Sequence, residues 1–434
     1  MNPLHRNDRP GEHPPSWYAA TAAIPPPRPP LEGEVRADVA VLGAGFTGLW
    51  AAKVAAGRGL RVVVLEAHRA GWGASGRNGG QVGTGYNLSQ RVLEARMGAG
   101  NARLVWDLAE EAKTQLRDFC AAQAPDARYL PGVAHGDYSA RELRDSHAEA
   151  EHLARVYGYD RIEPLDRDAM RALVKSPKYQ GGTLDRGAGH VHPLNYALAL
   201  ARAAEAAGAV IHEGSEVIAL DHGPRPALRT AGGRVVADHV ILAGNGYLPD
   251  LEGRVAARVM PINSFIAATE PLPDRWHEVL AEDIAVADSK FVVNYFRFSH
   301  DRRFLFGGRE SYTLGFPTDI SGPLRARMEA LFPQLAGVRI DHVWGGSLGI
   351  TMSRLPHVAR VAPNVLSGAG FSGHGVALAG IAGRVMAEAV AGQAGRLDAM
   401  ARLPVPRFPG GAAFRAPLLT LAMTWFSLRD RLGF

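Results

Sequence analysis

Cysteine is nearly absent from this chain. Cys120 is the only one in 434 residues, which excludes an internal disulfide and any cysteine-rich metal site. That usage suits a reducing cytoplasm. Lysine is scarce too: Lys53, Lys113, Lys175, Lys178 and Lys290 complete the set, and arginine carries nearly all the positive charge. The basic residues are scattered without a Lys/Arg block, so the net charge of +5 is no signature of nucleic-acid binding. Codon bias is the simpler account of the arginine excess. No run of eighteen apolar residues occurs, so no membrane-spanning helix is expected. Residues 1–30 are polar and proline-rich, with no continuous apolar stretch of the kind a signal peptide needs.

What is present reads as a soluble globular protein, 47% hydrophobic and 21% charged. The length allows two domains. Prolines 25–27 and 29–30 oppose both helix and central strand, so residues 1–35 are expected to form an extended arm. The pattern then changes. Residues 38–42 (DVAVL) form a short apolar strand, 43–48 a glycine turn, 49–57 a helix and 61–66 (RVVVLE) a second strand. Such a βαβ unit makes its strands parallel. Residues 100–157 look largely helical and 195–207 form an alanine-rich helix; strands follow at 210–212, 217–220 and 238–243. From 255 to 345 the pattern alternates, as in 291–298 (FVVNYFRF) and 303–307 (RFLFG), predicting an antiparallel sheet with one face on a core. A strand at 364–367 and a helix at 376–391 follow. Nucleotide-binding elements thus stand at both ends, with the antiparallel segment between them.

The glycine turn has a chemical use. Gly43 makes the tight turn, Gly45 lets the backbone approach a pyrophosphate, and Gly48 lets helix pack on strand. The helix N-terminus that follows the turn offers N–H groups and a positive dipole end to phosphates. Glu66, eighteen residues past Gly48, is placed to bind adenosine ribose hydroxyls and would repel a 2′-phosphate. NAD and FAD share this opening. The run 73–81 (GASGRNGGQ) suits backbone wrapping around a ring or ribityl chain, and is otherwise a surface loop. The segment 368–376 (GAGFSGHGV) places a second helix N-terminus where the N1–C2=O edge of a reduced flavin would need one; its alternative is an ordinary strand–turn–helix connection.

Ser16-Trp17-Tyr18, the unit 38–66, the run 73–81, Gly189-His190-Val191-His192-Pro193 and the segment 370–375 together resemble the gamma-glutamylputrescine oxidoreductase family. These are FAD-dependent amine oxidoreductases of the D-amino-acid oxidase (DAO) superfamily. The resemblance covers nearly the whole chain. It implies an α/β (overall α+β) fold. A Rossmann-like FAD-binding domain of the glutathione-reductase type (36–95, 163–250, 340–400) interleaves with an antiparallel-sheet substrate domain (96–162, 251–339), followed by a C-terminal arm or helix (401–434). It further implies that Gly43, Gly45, Gly48 and Glu66 hold the ADP half of FAD, beside Phe46 and Thr47. Ala74, Ser75, Arg77, Asn78, Gly80 and Gln81 would line the ribityl chain and ring. Val217 and Gly244 would close the nucleotide site, and Gly373, His374, Gly375 and Val376 would meet the pyrimidine edge. Some relatives attach FAD through a cysteine in the C-terminal half; with Cys120 alone, non-covalent FAD is expected.

Such enzymes take a hydride from an amine-bearing carbon and leave an imine for water to hydrolyse. The expected pocket is aromatic and weakly polar. Phe265, Tyr295, Tyr312, Trp344 and Phe371 are candidates for its walls, and Arg297 and Arg309 for a carboxylate clamp; core packing and structural arginines are the competing readings. His374 is expected against the cofactor, while His190 and His192 shape a loop and cap the helix that opens at Pro193. Lys290 is the candidate for promoting reaction with oxygen; a quinone or carrier is the other acceptor. Residues 414–434 read as an amphipathic helix that packs on the body or touches a membrane surface. Two other functions compete: a D-amino-acid dehydrogenase or oxidase, and a non-catalytic FAD-binding accessory protein. The opening motif alone would also fit an NAD-dependent dehydrogenase, against which the segment 368–376 argues.

Overall fold

Val62–Leu65 is buried at all four positions, the condition of a strand covered on both faces. In the computed structural model, which describes residues 3–248, 251–311 and 315–410, it belongs to a parallel set. The order is Val365–Ala369, Gly233–Leu242, Gly33–Leu42, Val62–Leu65, Val210–His212, with His357–Ala362 antiparallel at one edge. Four helices cover one face: Phe46–Ala56, Ala99–Gln123, Pro193–Ala206 and Gly375–Val390. The other face packs on the small hairpin Ala219–Asp221/Ala227–Arg229 and on Leu248, Val255 and Val259.

The second sheet is built around Met260–Pro271, flanked antiparallel by Arg303–Ser311 and Ile340–Ile350. It continues through Tyr295–Phe298, Ala285–Asp288, Leu130–Asp137, Gly181–His190 and Gln81–Val82. The alternation in 291–307 is realised: Phe296, Phe298, Phe304 and Phe306 point into one aromatic cluster with Phe332. The other face is covered as well. Ile266, Leu305 and Trp344 pack on Trp17, Tyr18, Leu194 and Leu198.

Residues 100–157 are largely helical, with the strand Leu130–Asp137 between the helices. Two expectations about the domains need correction. Helix Ala99–Gln123 belongs with the helices of the first sheet, since its apolar stripe (Val105, Leu108, Ala112, Leu116) packs there. Gly181–His190 and Ile340–Ile350, which fell in the nucleotide-binding segments, pair in the second sheet. Their sequences, GGTLDRGAGH and IDHVWGGSLGI, are glycine-rich, and a glycine contributes nothing to a readable alternation. Those glycines permit close approach: a Cβ at Gly182 would stand 1.9 Å from the His135 carbonyl oxygen.

The N-terminal arm is extended only in part. Ser16 caps the short helix Trp17–Thr21 through the Ala19 N–H (3.1 Å). Trp17 and Tyr18 are buried, and the Trp17 indole donates to Asp301 (3.2 Å). Farther on, Arg28 pairs with Glu205 (2.6 Å) and Glu213 (3.0 Å). The expected helix at 414–434 lies outside the described residues. Among the described residues no helix is long and apolar enough to cross a membrane. Removing the buried Trp17 ring leaves a cavity under the second sheet, so Trp17→Ala is expected to lower stability by about 3–5 kcal/mol. A fall in the urea midpoint of the FAD-free protein checks this.

Candidate active site

The first glycine turn is made by close backbone approach. Gly43 takes φ +98°, and a Cβ there would lie 2.9 Å from the Ala243 carbonyl oxygen. A Cβ at Gly48 would lie 1.9 Å from the Gly43 carbonyl oxygen, so any larger residue would push the helix off the turn. Gly45 precedes the helix Phe46–Ala56 and supplies no side-chain cap. Ser75, from the run 73–81, accepts from the Phe46 N–H (3.0 Å), joining that run to the turn.

Glu66 ends the second strand with its carboxylate buried. It accepts from the Ala44 N–H (2.8 Å) and the His68 N–H (3.0 Å). Burial outweighs these bonds and pushes its pKa up to about 7, with the nearby Glu213 adding to the rise.

Both ends of the sequence meet at one cavity of about 1310 Å³. Of the eighteen cofactor residues named above, all line it except Gly48, which serves the packing of the turn. Val217 follows Ser215, whose N–H donates to the Glu66 carbonyl, and Gly244 lies against Gly43, while Gly373, His374, Gly375 and Val376 sit at the other helix N-terminus. His374 precedes the helix Gly375–Val390 and gives it no side-chain cap. Its ring lies against Gly83, where a Cβ would be 2.5 Å from Cε1. Burial pushes its pKa down to about 4, so the ring is neutral above that. Its Nε2 is buried without a hydrogen-bond partner among the described residues, which leaves it open to a ligand.

Tyr295, Lys290 and Phe371 also line the cavity. The Tyr295 ring lies over Gly79 and Gly307, its hydroxyl 3.1 Å from Ser264 Oγ, and burial raises its pKa so that it stays protonated. The Lys290 ammonium sits over the Tyr138 ring (4.6 Å). Arg297 and Trp344, read from the sequence as catalytic, do not reach the cavity. The Arg297 guanidinium is spent on the carbonyls of Gly79 (2.9 Å), Val191 (3.0 Å) and Phe298 (3.3 Å) and on the Tyr18 hydroxyl (3.3 Å). The Trp344 indole donates to the Arg77 carbonyl (3.0 Å) and packs on Tyr18. Phe265 is wholly buried in the aromatic cluster. Tyr312 and the Arg309 side chain lie outside the described residues. His192 caps its helix by accepting from the Asn195 N–H (3.1 Å), with Pro193 in the first turn.

Sequence reasoning missed several residues of the cavity. Arg354 lines it with its guanidinium over the Phe291 ring (4.6 Å). Trp72 and Tyr247 line it too, and Trp72, flanked by Gly71 and Gly73, stood beside the glycine run as a readable signal. Behind one wall, the buried Lys113 donates to Thr84 (2.6 Å) and Tyr159 (2.8 Å), and both donate onward to Asp185 (2.5 and 2.7 Å).

Two uncapped helix N-termini, a buried acid at a strand end and an orphaned imidazole nitrogen therefore share one cavity. That donor set fits FAD: ribose hydroxyls at Glu66, phosphates at the first helix, the ring's polar edge at the second. The family model for FAD-dependent oxidoreductases of the DAO type matches residues 38–389. The chain belongs to the DAO family. A probable oxidoreductase, OrdL, of Rhizobium meliloti is 42% identical, covering 96% of this chain and 97% of its own. The gamma-glutamylputrescine oxidoreductase of Escherichia coli is 38% identical, covering 97% and 99%. Among solved structures, glycine oxidase from Geobacillus kaustophilus superposes with a TM-score of 0.70 at 22% identity, covering 82% of this chain and 95% of that one. L-amino acid deaminase from Proteus myxofaciens gives 0.69 at 17% identity, covering 86% and 94%; both share the fold. This DAO-family chain is an FAD-dependent oxidoreductase, and the NAD-dependent alternative falls.

With ribose hydroxyls at Glu66, FAD binding is expected to depend on pH. Below about pH 7 it holds its proton in the FAD-free protein, contributing stability that is lost as pH rises through that value. Ribose hydroxyls donate best to the ionised carboxylate, so binding releases a proton. The FAD dissociation constant is expected to rise by up to about tenfold per pH unit below 7, and Glu66→Gln to flatten the profile. Fluorescence titration of the FAD-free protein across neutral pH checks this.

Proposed function

We propose that this protein oxidises an amine that also bears a carboxylate, with gamma-glutamylputrescine or a close relative as the substrate. The relative of that name, similar over nearly the full length of both chains, supports the amine. The single observation that carries the carboxylate is how the cavity's basic side chains are spent. Four lysine or arginine side chains line it: Arg77, Arg91, Lys290 and Arg354. Arg77 is held by Asp8, and Arg91 by Glu149. Lys290 and Arg354 rest on aromatic rings and have no acidic partner among the described residues. A cation held over a ring keeps its N–H donors free, and a guanidinium is suited to a carboxylate.

FAD, when bound, supplies the two-electron acceptor for the hydride of the amine-bearing carbon, and water then converts the imine to an aldehyde and ammonia. The chain's own residues orient and exclude. Tyr295 and Phe371 give the reacting end a ring-lined, weakly polar wall that favours the neutral amine. Lys290 and Arg354 fix the carboxylate end. His374, neutral at working pH, presents Nε2 to the cofactor rather than taking the substrate proton. Arg297 and Trp344 act as positioning residues, tying the loop at 77–80 in place. The buried Cys120 thiol, pushed up to about 12, lies outside the cavity lining, which supports non-covalent FAD. The cytoplasm accords with the lone reduced cysteine, and oxygen or a quinone takes the electrons onward.

The same cations favour one second reading, a D-amino acid with its α-carboxylate beside the amine. Anaerobic titration of the FAD-loaded protein decides. Gamma-glutamylputrescine is expected to bleach the flavin band at lower concentration than putrescine or D-alanine. Bleaching by D-alanine alone establishes the second reading, and bleaching by none of the three overturns both. Arg354→Gln is expected to raise the concentration needed by about tenfold or more, the loss of one charge-assisted bond. Readmitting air then separates oxygen from quinone as acceptor.

A further inference from the structure

The family model begins at residue 38, yet residues well before it contribute to the cavity wall. Leu4 lines the same cavity as Glu66, Glu216 and Val217. From there to Glu12 the arm grips the dinucleotide half of the site at one point after another. The Leu4 carbonyl lies 3.0 Å from His68 Nε2, and the Gly11 N–H donates to His68 Nδ1 (3.1 Å). The imidazole is therefore clasped from both nitrogens as the neutral Nε2–H tautomer. His68 in turn gives its backbone N–H to Glu66, so the arm holds the segment that presents the ribose-binding acid.

The other anchors are themselves wall residues. His5 Nε2 lies 2.8 Å from Glu216, next to Val217. Asp8 pairs with the buried Arg77 (2.7 Å). The Trp72 indole donates to the Glu12 carbonyl (2.8 Å), while its ring carries His68 at 4.0 Å and Arg77 at 4.5 Å. Asn7 accepts from the Phe316 N–H (2.8 Å), beyond the strand Arg303–Ser311 of the second sheet. Glu216, Trp72 and Arg77 all line the cavity. The arm thus crosses the outside of the cavity and is fastened on both sides.

We propose that residues 3–12 are a strap belonging to the FAD site: they form the outer wall of its dinucleotide half, and FAD enters or leaves only when the strap is released. Coupling between strap and cofactor is reciprocal. Whatever factor the closed strap adds to FAD retention, bound FAD adds to strap closure. Arg6, exposed and followed by Asn7, gives trypsin access to the strap, while Pro10 protects the bond after Arg9.

The test compares the full chain with a protein lacking residues 2–12, both loaded with FAD. Release is followed after dilution by the fluorescence of free flavin. The truncated protein is expected to lose FAD about tenfold faster or more, the effect falling on the off-rate. Release rates equal to those of the full chain overturn the proposal. Should the truncated protein fail to fold, the full-length His5→Gln/Asp8→Asn variant gives the same readout: faster release supports the strap and unchanged release sinks it. In the unaltered chain, trypsin is expected to cut after Arg6 more slowly with FAD than without. Equal cutting in the two states also counts against the strap.

Discussion

The Glu66 carboxylate sits where two parallel strands end, away from water, and it takes a backbone N–H from each side. Ala44 comes from the glycine turn and His68 from the segment that follows the second strand. Three other parts of the site are tied to that junction. The turn can close because Gly43 and Gly48 bring helix and strand within backbone contact. The run 73–81 is anchored to the turn through Ser75, and the arm is anchored to His68. A buried acid with incomplete compensation tolerates little rearrangement around it. That intolerance is a good reason for so many segments to converge there.

Local signals were legible in the sequence and non-local ones were not. The turn at 43–48, the acid at 66 and the helix after His374 each depend on residues within a few positions, so their chemistry could be named from type and spacing. The second sheet was seen where phenylalanines alternate and lost where glycines replace them, at 181–190 and 340–350. Tyr295 and Arg297 show the limit more sharply. They stand two apart on one strand and share a face, and both were read as catalytic. The loop at 78–80 crosses that face, leaving Tyr295 on the cavity and covering Arg297. No pattern within the strand could announce a cover that comes from residues more than two hundred positions away. Arg354 was missed for the same reason: it reaches the cavity only because the second sheet brings its loop beside Ser372.

The scarcity of lysine has a structural counterpart. Arg77 and Arg303 deliver their N–H groups to backbone carbonyls as well as to acids, and Arg297 delivers its own to carbonyls and a tyrosine hydroxyl. A planar fork with five donors can serve several acceptors at once, which an ammonium on a flexible stem does poorly. Buried arginines here do the work of joining segments, and their positive charge is nearly incidental to it.

Arg297 also constrains how the molecule can move. Its one guanidinium holds the arm at Tyr18, the loop at Gly79 and the connection at Val191, and its own strand lies in the second sheet. The loop it grips at Gly79 is the one that Ser75 fastens to the glycine turn of the first sheet. A swing of the sheets about a hinge would pull on that chain of bonds, whereas a small shift of a single loop would leave it whole, which makes loops the less costly way in for a small molecule.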